Sequence, residues 1–319
     1  MTDDDTTGRP RSGPPHERLD TLRTRLQRSL LWRVWERLLE IEFLDRGIAL
    51  AAKAFVSFFP LVIVVAAFVP EGIRSSIVAT LSARFGVRGG DALTLVRESF
   101  ASSDDIRQAT GLLGLVLTIF FATSFTTALH RVYIRAWRRP SRAGPGAYWR
   151  GAVWLVTMLA SMALLGALSG ALDDGIGSAL FPVVTLVVMS ALWWFTAWFL
   201  LFGEVRMRVL APTGVITAIA LGGYALSATV WMPEVVTSNE AQFGVFGVAL
   251  ALVTWFSGAA ICVLIGACAG PVLAEDPGWV GRRIRGGDVP VLSPGARSPL
   301  PPPVRELGLR DAFQGSEDP

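Results

Sequence analysis

The chain has 319 residues, 52% of them hydrophobic and 17% charged, with a formal net charge of +3. A water-soluble domain usually carries about 45–50% apolar and about 25% charged residues, and the mean hydropathy of +0.48 lies beyond what a water-exposed surface supports. The composition therefore excludes an ordinary soluble globule and points to an all-α polytopic membrane protein.

The N-terminus, "MTDDDTTGRPRSGPP", is acidic and then Pro/Gly-rich, with none of the character of a secretory signal; residues 1–15 are expected to be disordered. Residues 16–45 repeat apolar side chains at steps of three and four: Leu19, Leu22, Leu26, Leu30, Val34, Leu38 and Ile41. That spacing predicts an amphipathic juxtamembrane helix with an arginine-rich opposite face. It suits either the headgroup layer or the ends of the spans.

A bilayer core about 30 Å thick needs about 20 apolar residues in a helix. Six segments qualify, at about 47–70, 110–133, 151–172, 179–202, 211–232 and 243–273, within a membrane domain of residues 46–275. The first, "ALAAKAFVSFFPLVIVVAAF", contains Lys53, the single lysine of the chain. The 71–109 connection reads as two short outer helices split by Gly89-Gly90, and the sixth span opens on a glycine turn, "FGVFG", at Gly244 and Gly247. Residues 276–319 form a Pro/Arg-rich tail, expected to be disordered.

Basic residues collect on alternate connections. "RVYIRAWRRPSRAGPGAYWR" has six arginines and no acid, "GEVRMRVL" has two arginines and one glutamate, and "GRRIRGG" follows the last span. "DDGIGS" and "PEVVTSNEAQ" have acids and no base. With six spans, the positive-inside rule then places both termini in the cytoplasm of a bacterial inner membrane. Its partners are membrane lipids, most naturally anionic ones.

Lys53 lies some six residues inside the first span, where a charge costs about 2.5–3.5 kcal/mol at the bilayer centre. Two readings stand side by side: a snorkelled boundary lysine, or an ammonium facing a polar cavity, with Glu204 as its protein partner. Ser57, Ser124 and His130 are the further cavity candidates, with Thr123, Thr126 and Thr127 beside them. Gly166/Gly170 and Gly266/Gly270 form two GxxxG spacings, which suit close packing inside the bundle or a homo-oligomer face. Pro60, Pro182 and Pro212 kink or begin helices.

Several of these residues together resemble the YihY / virulence factor BrkB membrane proteins, once labelled ribonuclease BN-like. The resemblance rests on Ser57-Phe58-Phe59-Pro60 in the first span, "ALHRVY" from Ala128 to Tyr133, "APTGVITA" with Pro212 and Gly214, and Gly244, Gly247, Trp255 and Gly266-Ala267 in the last span. It covers residues 35–275 and implies six membrane helices with no established activity. The chain departs from the family pattern at Cys268, which replaces an acid in "GACA", at His130, which replaces an asparagine, and at Lys53, where an uncharged residue is usual.

The ribonuclease label finds no chemistry in the residues. Two histidines, His16 and His130, stand without a ligand-spaced His, Cys or acid cluster, and there is no phosphate-binding GxxxxGK[ST] loop. No catalytic residue, metal, cofactor or nucleic-acid partner is expected. Cys262 and Cys268 read as packing residues. Two functions fit: transport or handling of a lipid or small solute through a cavity between the helices, or a non-transporting scaffold or assembly factor.

Overall fold

The computed structural model describes residues 29–68, 104–140, 147–172 and 175–287, and among them it is entirely helical. The expected features at residues 1–28, in the outer connection up to residue 103, and beyond residue 287 lie outside the described residues.

Eight helices follow one another: α1 Leu30–Glu40, α2 Phe43–Phe68, α3 Asp104–Ala136, α4 Ala147–Ala171, α5 Ile176–Leu200, α6 Met207–Phe243, α7 Val245–Ala274 and the short α8 Trp279–Arg285. From α2 to α6 each helix packs on the next, α6 packs on α7, and α7 returns to α2, which closes a ring of six helices. Contacts of α3 with α5 and α7 cross the ring. Outward faces stay apolar and uncovered, as at Val156, Leu164, Val187, Ile219, Val230 and Leu250. Such surface is disfavoured in water and neutral in hydrocarbon.

Among the described residues five helical stretches are long and apolar enough to cross a membrane: Gly114–Ala136, Trp149–Gly170, Ala179–Leu200, Met207–Phe243 and Phe246–Ala274. They lie on α3 to α7, so the chain is a multi-pass membrane protein. The expected first span corresponds to α2, 26 residues long, whose N-terminal half carries Asp45, Arg46 and Lys53.

The fifth span differs from its expected bounds. Helix α6 runs 37 residues, to Phe243, so "PEVVTSNEAQ" is helix and not loop. At about 1.5 Å per residue it is about 56 Å long and must project beyond a core of about 30 Å. Packing explains the extension: Ala228, Met232 and Val236 are buried against Ala251 of α7, so the helix continues past Pro233. It stops at Gly244, whose φ of 58° is open to glycine at little cost, and α7 begins on the next residue.

The membrane-facing end of the N-terminal segment differs as well. Ser29 caps α1 by accepting the Trp32 backbone N–H at 3.2 Å. The helix then ends at Ile41, and Glu42, with φ 57°, turns the chain into α2. Val34, Leu38 and Ile41 of the expected apolar face pack into the bundle core. A second stripe, Leu31, Trp35 and Leu39, stays exposed. One apolar face of α1 thus docks on the spans and another looks outward.

Ion pairs fix that docking. Arg37, only 5% exposed, makes a bidentate pair with Glu275 at the end of α7, both contacts at 3.0 Å. Arg33 reaches Asp276 at 3.0 Å, and Glu40 accepts two hydrogen bonds from Arg138 after α3, at 3.1 and 2.8 Å. Beyond Ala274, where an unstructured tail was expected to begin, α8 folds back: Arg285 donates to the carbonyls of Ala274 and Asp276.

Glu275→Ala takes from the buried Arg37 its closer carboxylate and leaves Glu40 at 3.4 Å, so it should lower stability by about 2–3 kcal/mol, less than the about 3–5 kcal/mol of a buried charge left with no partner. The Arg37→Met/Glu275→Leu double variant should recover most of it, as read from unfolding of the protein in lipid nanodiscs. Partial burial by itself would raise the Glu40 carboxyl, but the hydrogen bonds and charge of Arg138, with the charge of Arg37, hold it below its ordinary value. A depressed carboxylate stabilises the fold above its ordinary range and loses that contribution as pH falls through the range and below it. Protease cleavage between Ser29 and Glu42 should therefore rise as pH drops from about 5 to about 3, and less so in Glu40→Gln.

Candidate functional site

The five polar candidates do not share one cavity; the structure separates them into two places. The first lies between α2 and α3. Lys53 sits seven residues beyond Arg46, and Ser124 seven before Arg131 (53 − 46 and 131 − 124), so both lie about 10 Å inside the arginine level. Lys53 Nζ donates to the Ser124 hydroxyl at 3.1 Å and to the Ser124 carbonyl at 3.3 Å. Its partner is thus Ser124 and not Glu204. Ala52, Val56 and Phe121 complete a groove of about 200 Å³ around the pair. Ala52 and Val56 are exposed, so the groove is open and not enclosed.

The neighbouring hydroxyls do not add to this site. Ser57 donates to the Lys53 carbonyl at 2.6 Å, Thr123 to Ile119, Thr126 to Ala122 and Thr127 to Thr123, each within its own helix. A hydroxyl satisfied by the preceding turn presents little to a ligand. What the sequence suggested as a polar cavity lining is largely self-contained helix.

The second place is the turn between α5 and α6. His130 Nδ1 lies 2.6 Å from the Leu200 carbonyl, so that nitrogen carries the proton. Its ring meets Phe202 edge-on at 5.1 Å. Arg150 stacks on Phe202 at 3.6 Å and donates to the Phe199 carbonyl at 3.1 Å. Phe202 has φ 58° and Gly203 φ 70°, so the α5 end is wound in the left-handed region twice. The charges of Arg150, Arg131 and Glu204 all act on His130. Sequence reasoning missed Arg150, since its aromatic neighbours come from another helix. It also missed the Arg37–Glu275 pair, although two acids directly after the last span face an arginine-rich helix across a short gap.

The glycines divide in the same way. A side chain at Gly266 would collide with Thr217, and one at Gly270 with Thr213, so this GxxxG lets α7 press onto α6 inside the bundle. Gly166 and Gly170 have nothing within 4 Å and face outward on α4. Gly247 lies against the Asn239 backbone at the α6–α7 turn, and Pro60 is buried in α2. Cys262 and Cys268 are both free. Among the described residues no three His, Cys, Asp or Glu side chains gather at metal-binding distance.

Comparison with protein-family models, with curated proteins and with solved structures finds no match for this chain.

The geometry separates two serines that look alike in sequence. Ser57→Ala removes a hydroxyl already held by its own helix and should change stability by less than about 0.5 kcal/mol. Ser124→Ala strips Lys53 of its side-chain acceptor and should cost about 1–2 kcal/mol in nanodisc unfolding, because hydrogen bonds to charged groups are the stronger kind.

Proposed function

We propose that α2 to α7 each cross the membrane once, that both ends of the chain lie on the cytoplasmic side of a bacterial inner membrane, and that the protein handles an anionic amphiphile at the lateral groove beside Lys53. The reading rests on one observation above others. Among the described residues Lys53 makes no ion pair; its ammonium has only the two oxygens of Ser124, inside an apolar groove that faces lipid. A cation in low dielectric gains most from an anion brought into contact with it, and a groove open to the acyl region admits one that carries its own tail. A phosphodiester headgroup meets both requirements. The action proposed at the site is binding and movement of this ligand.

The arginine alternation supports the orientation, and the 26-residue α2, packed on both α3 and α7, supports a sixth crossing. The YihY/BrkB assignment rests on the sequence resemblance alone. A scaffold role would leave the Lys53 groove without a ligand, and the same experiment separates the two.

Phosphatidylglycerol with a photoactivatable acyl chain should crosslink to the 52–56 segment of the protein in nanodiscs, well above the matching phosphatidylcholine. Lys53→Met, which should insert and fold, should reduce that yield about tenfold. Equal yields in parent and variant would remove the lipid-handling reading and leave the scaffold. Topology reporters fused to each terminus should both report the cytoplasm; a periplasmic signal from either end would end the six-crossing arrangement.

A further inference from the structure

Five of the described arginines around α1 and the end of α3 are paired internally: Arg33 with Asp276, Arg37 with Glu275 and Glu40, Arg46 and Arg135 with Glu42, and Arg138 with Glu40. Those at the start of α6 and on α8 are not. Arg206, Arg208, Arg282 and Arg283 are exposed and make no ion pair among the described residues.

These four arginines share a surface. The side chain of Arg208 donates to the Arg283 carbonyl at 3.1 Å, which joins the α6 start to α8. The inner side of α8 is anchored: Gly281 is buried, Ile284 packs on the core, and Arg285 donates to the Ala274 and Asp276 carbonyls. At about 100° per residue, the opposite side therefore carries Arg282, Trp279, Arg283 and Val280 outward. Trp279 is 69% exposed and Val280 41%, and Met207 beside Arg206 is also 41% exposed. The Arg283 guanidinium lies 5.8 Å from the Trp279 ring centre.

We propose that this face, α8 together with the Arg206–Arg208 segment, is a seat for the phosphates of an anionic bilayer surface. Arginines without carboxylate partners supply charge complementarity, and Trp279, Val280 and Met207 supply an apolar edge that fits the headgroup–acyl boundary. The position argues for lipid over a soluble partner. Met207 in this segment is the first residue of a membrane-crossing stretch, and four residues separate α8 from the end of another such stretch at Ala274, so the patch continues the lipid-facing surface at headgroup level. The paired arginines of α1 have already spent their charge within the protein, which leaves the α6–α8 side as the electrostatic footing. This inference is independent of the Lys53 groove.

The test uses the full chain carrying Lys53→Met, so that the groove makes no contribution. Detergent-purified protein is mixed with equal amounts of phosphatidylglycerol and phosphatidylcholine of identical chains, and retained lipid is counted by native mass spectrometry. Phosphatidylglycerol should be retained in excess, and the excess should shrink as salt rises from about 50 to about 500 mM. Arg206→Gln/Arg282→Gln/Arg283→Gln should cut the ratio about tenfold or more, since each basic residue near an anionic surface contributes roughly fivefold. The matching triple lysine variant should keep most of the preference, which shows that charge and not folding is responsible. An unchanged ratio in a glutamine variant of native helicity would overturn the proposal. So would an unchanged lipid ratio accompanied by loss of a co-purifying acidic protein, which would assign the patch to a protein partner instead.

Discussion

The contact of α7 with α6 is the constraint on which the rest of the ring depends. A single residue, Gly244, separates the two helices, and Gly266 and Gly270 let α7 lie directly against Thr217 and Thr213 of α6. In lipid there is little hydrophobic gain from bringing helices together, so close approach and the dispersion it allows must supply the association. Once α7 is held there, its other faces meet α2 and α1, and the ring closes. The buried Arg37 then finds Glu275 at the C-terminal end of the same helix. That end carries partial negative charge and unsatisfied carbonyls, which Arg33 and Arg285 also approach.

Closure around α7 decides what the arginines can do. Arginines collect at this end of the molecule, and their number alone does not say whether they are neutralised. Glu40, Glu42, Glu275 and Asp276 pair with five arginines on the α1 side; both Glu275 oxygens accept from one Arg37 nitrogen, and Glu40 takes two nitrogens of Arg138. The α6–α8 side receives no such carboxylates among the described residues. One helix terminus thus serves two purposes: it locks the N-terminal helix against the bundle, and it turns α8 so that its arginines face away. The pairs that stabilise the fold and the charges left available are separated by the few residues between Glu275 and Trp279.

Much of this was legible in the sequence because lipid imposes coarse and repetitive demands. Apolar length located α2 to α7 to within a few residues at most ends. The errors came where tertiary packing overrode local signals. Pro233 and the polar "TSNEAQ" read as a loop, yet Met232 and Val236 pack on Ala251 and carry the helix onward. The 16–45 periodicity read as one helix, but the left-handed turn at Glu42 divides it, a position where glycine would have given the signal and glutamate does not. At the candidate site, the depth of Lys53 followed from counting residues, whereas its partner did not. Glu204 was chosen by charge and by its level in the membrane. Ser124 won because it lies directly across from Lys53 on the adjacent helix, a fact of rotation about the helix axis that spacing alone does not encode.

That outcome bears on why a lysine is tolerated in α2 at all. A mid-bilayer lysine costs about 2.5–3.5 kcal/mol, and two hydrogen bonds of about 1.5–3 kcal/mol each, less the cost of ordering the side chain, offset a comparable amount without neutralising a charge. A carboxylate in place of Ser124 would neutralise the charge outright, and the exchange of a serine for an aspartate is small in volume. The chain instead gives Lys53 one serine as its partner, beside a groove whose remaining walls are Ala52, Val56 and Phe121. If snorkelling were the whole explanation, the ammonium would extend back along α2 toward Arg46 and the headgroups. It points across to α3 at its own level instead, and gives up the cheaper escape to water. That direction, with no carboxylate paired to Lys53 among the described residues, is the observation on which the proposed anionic ligand rests.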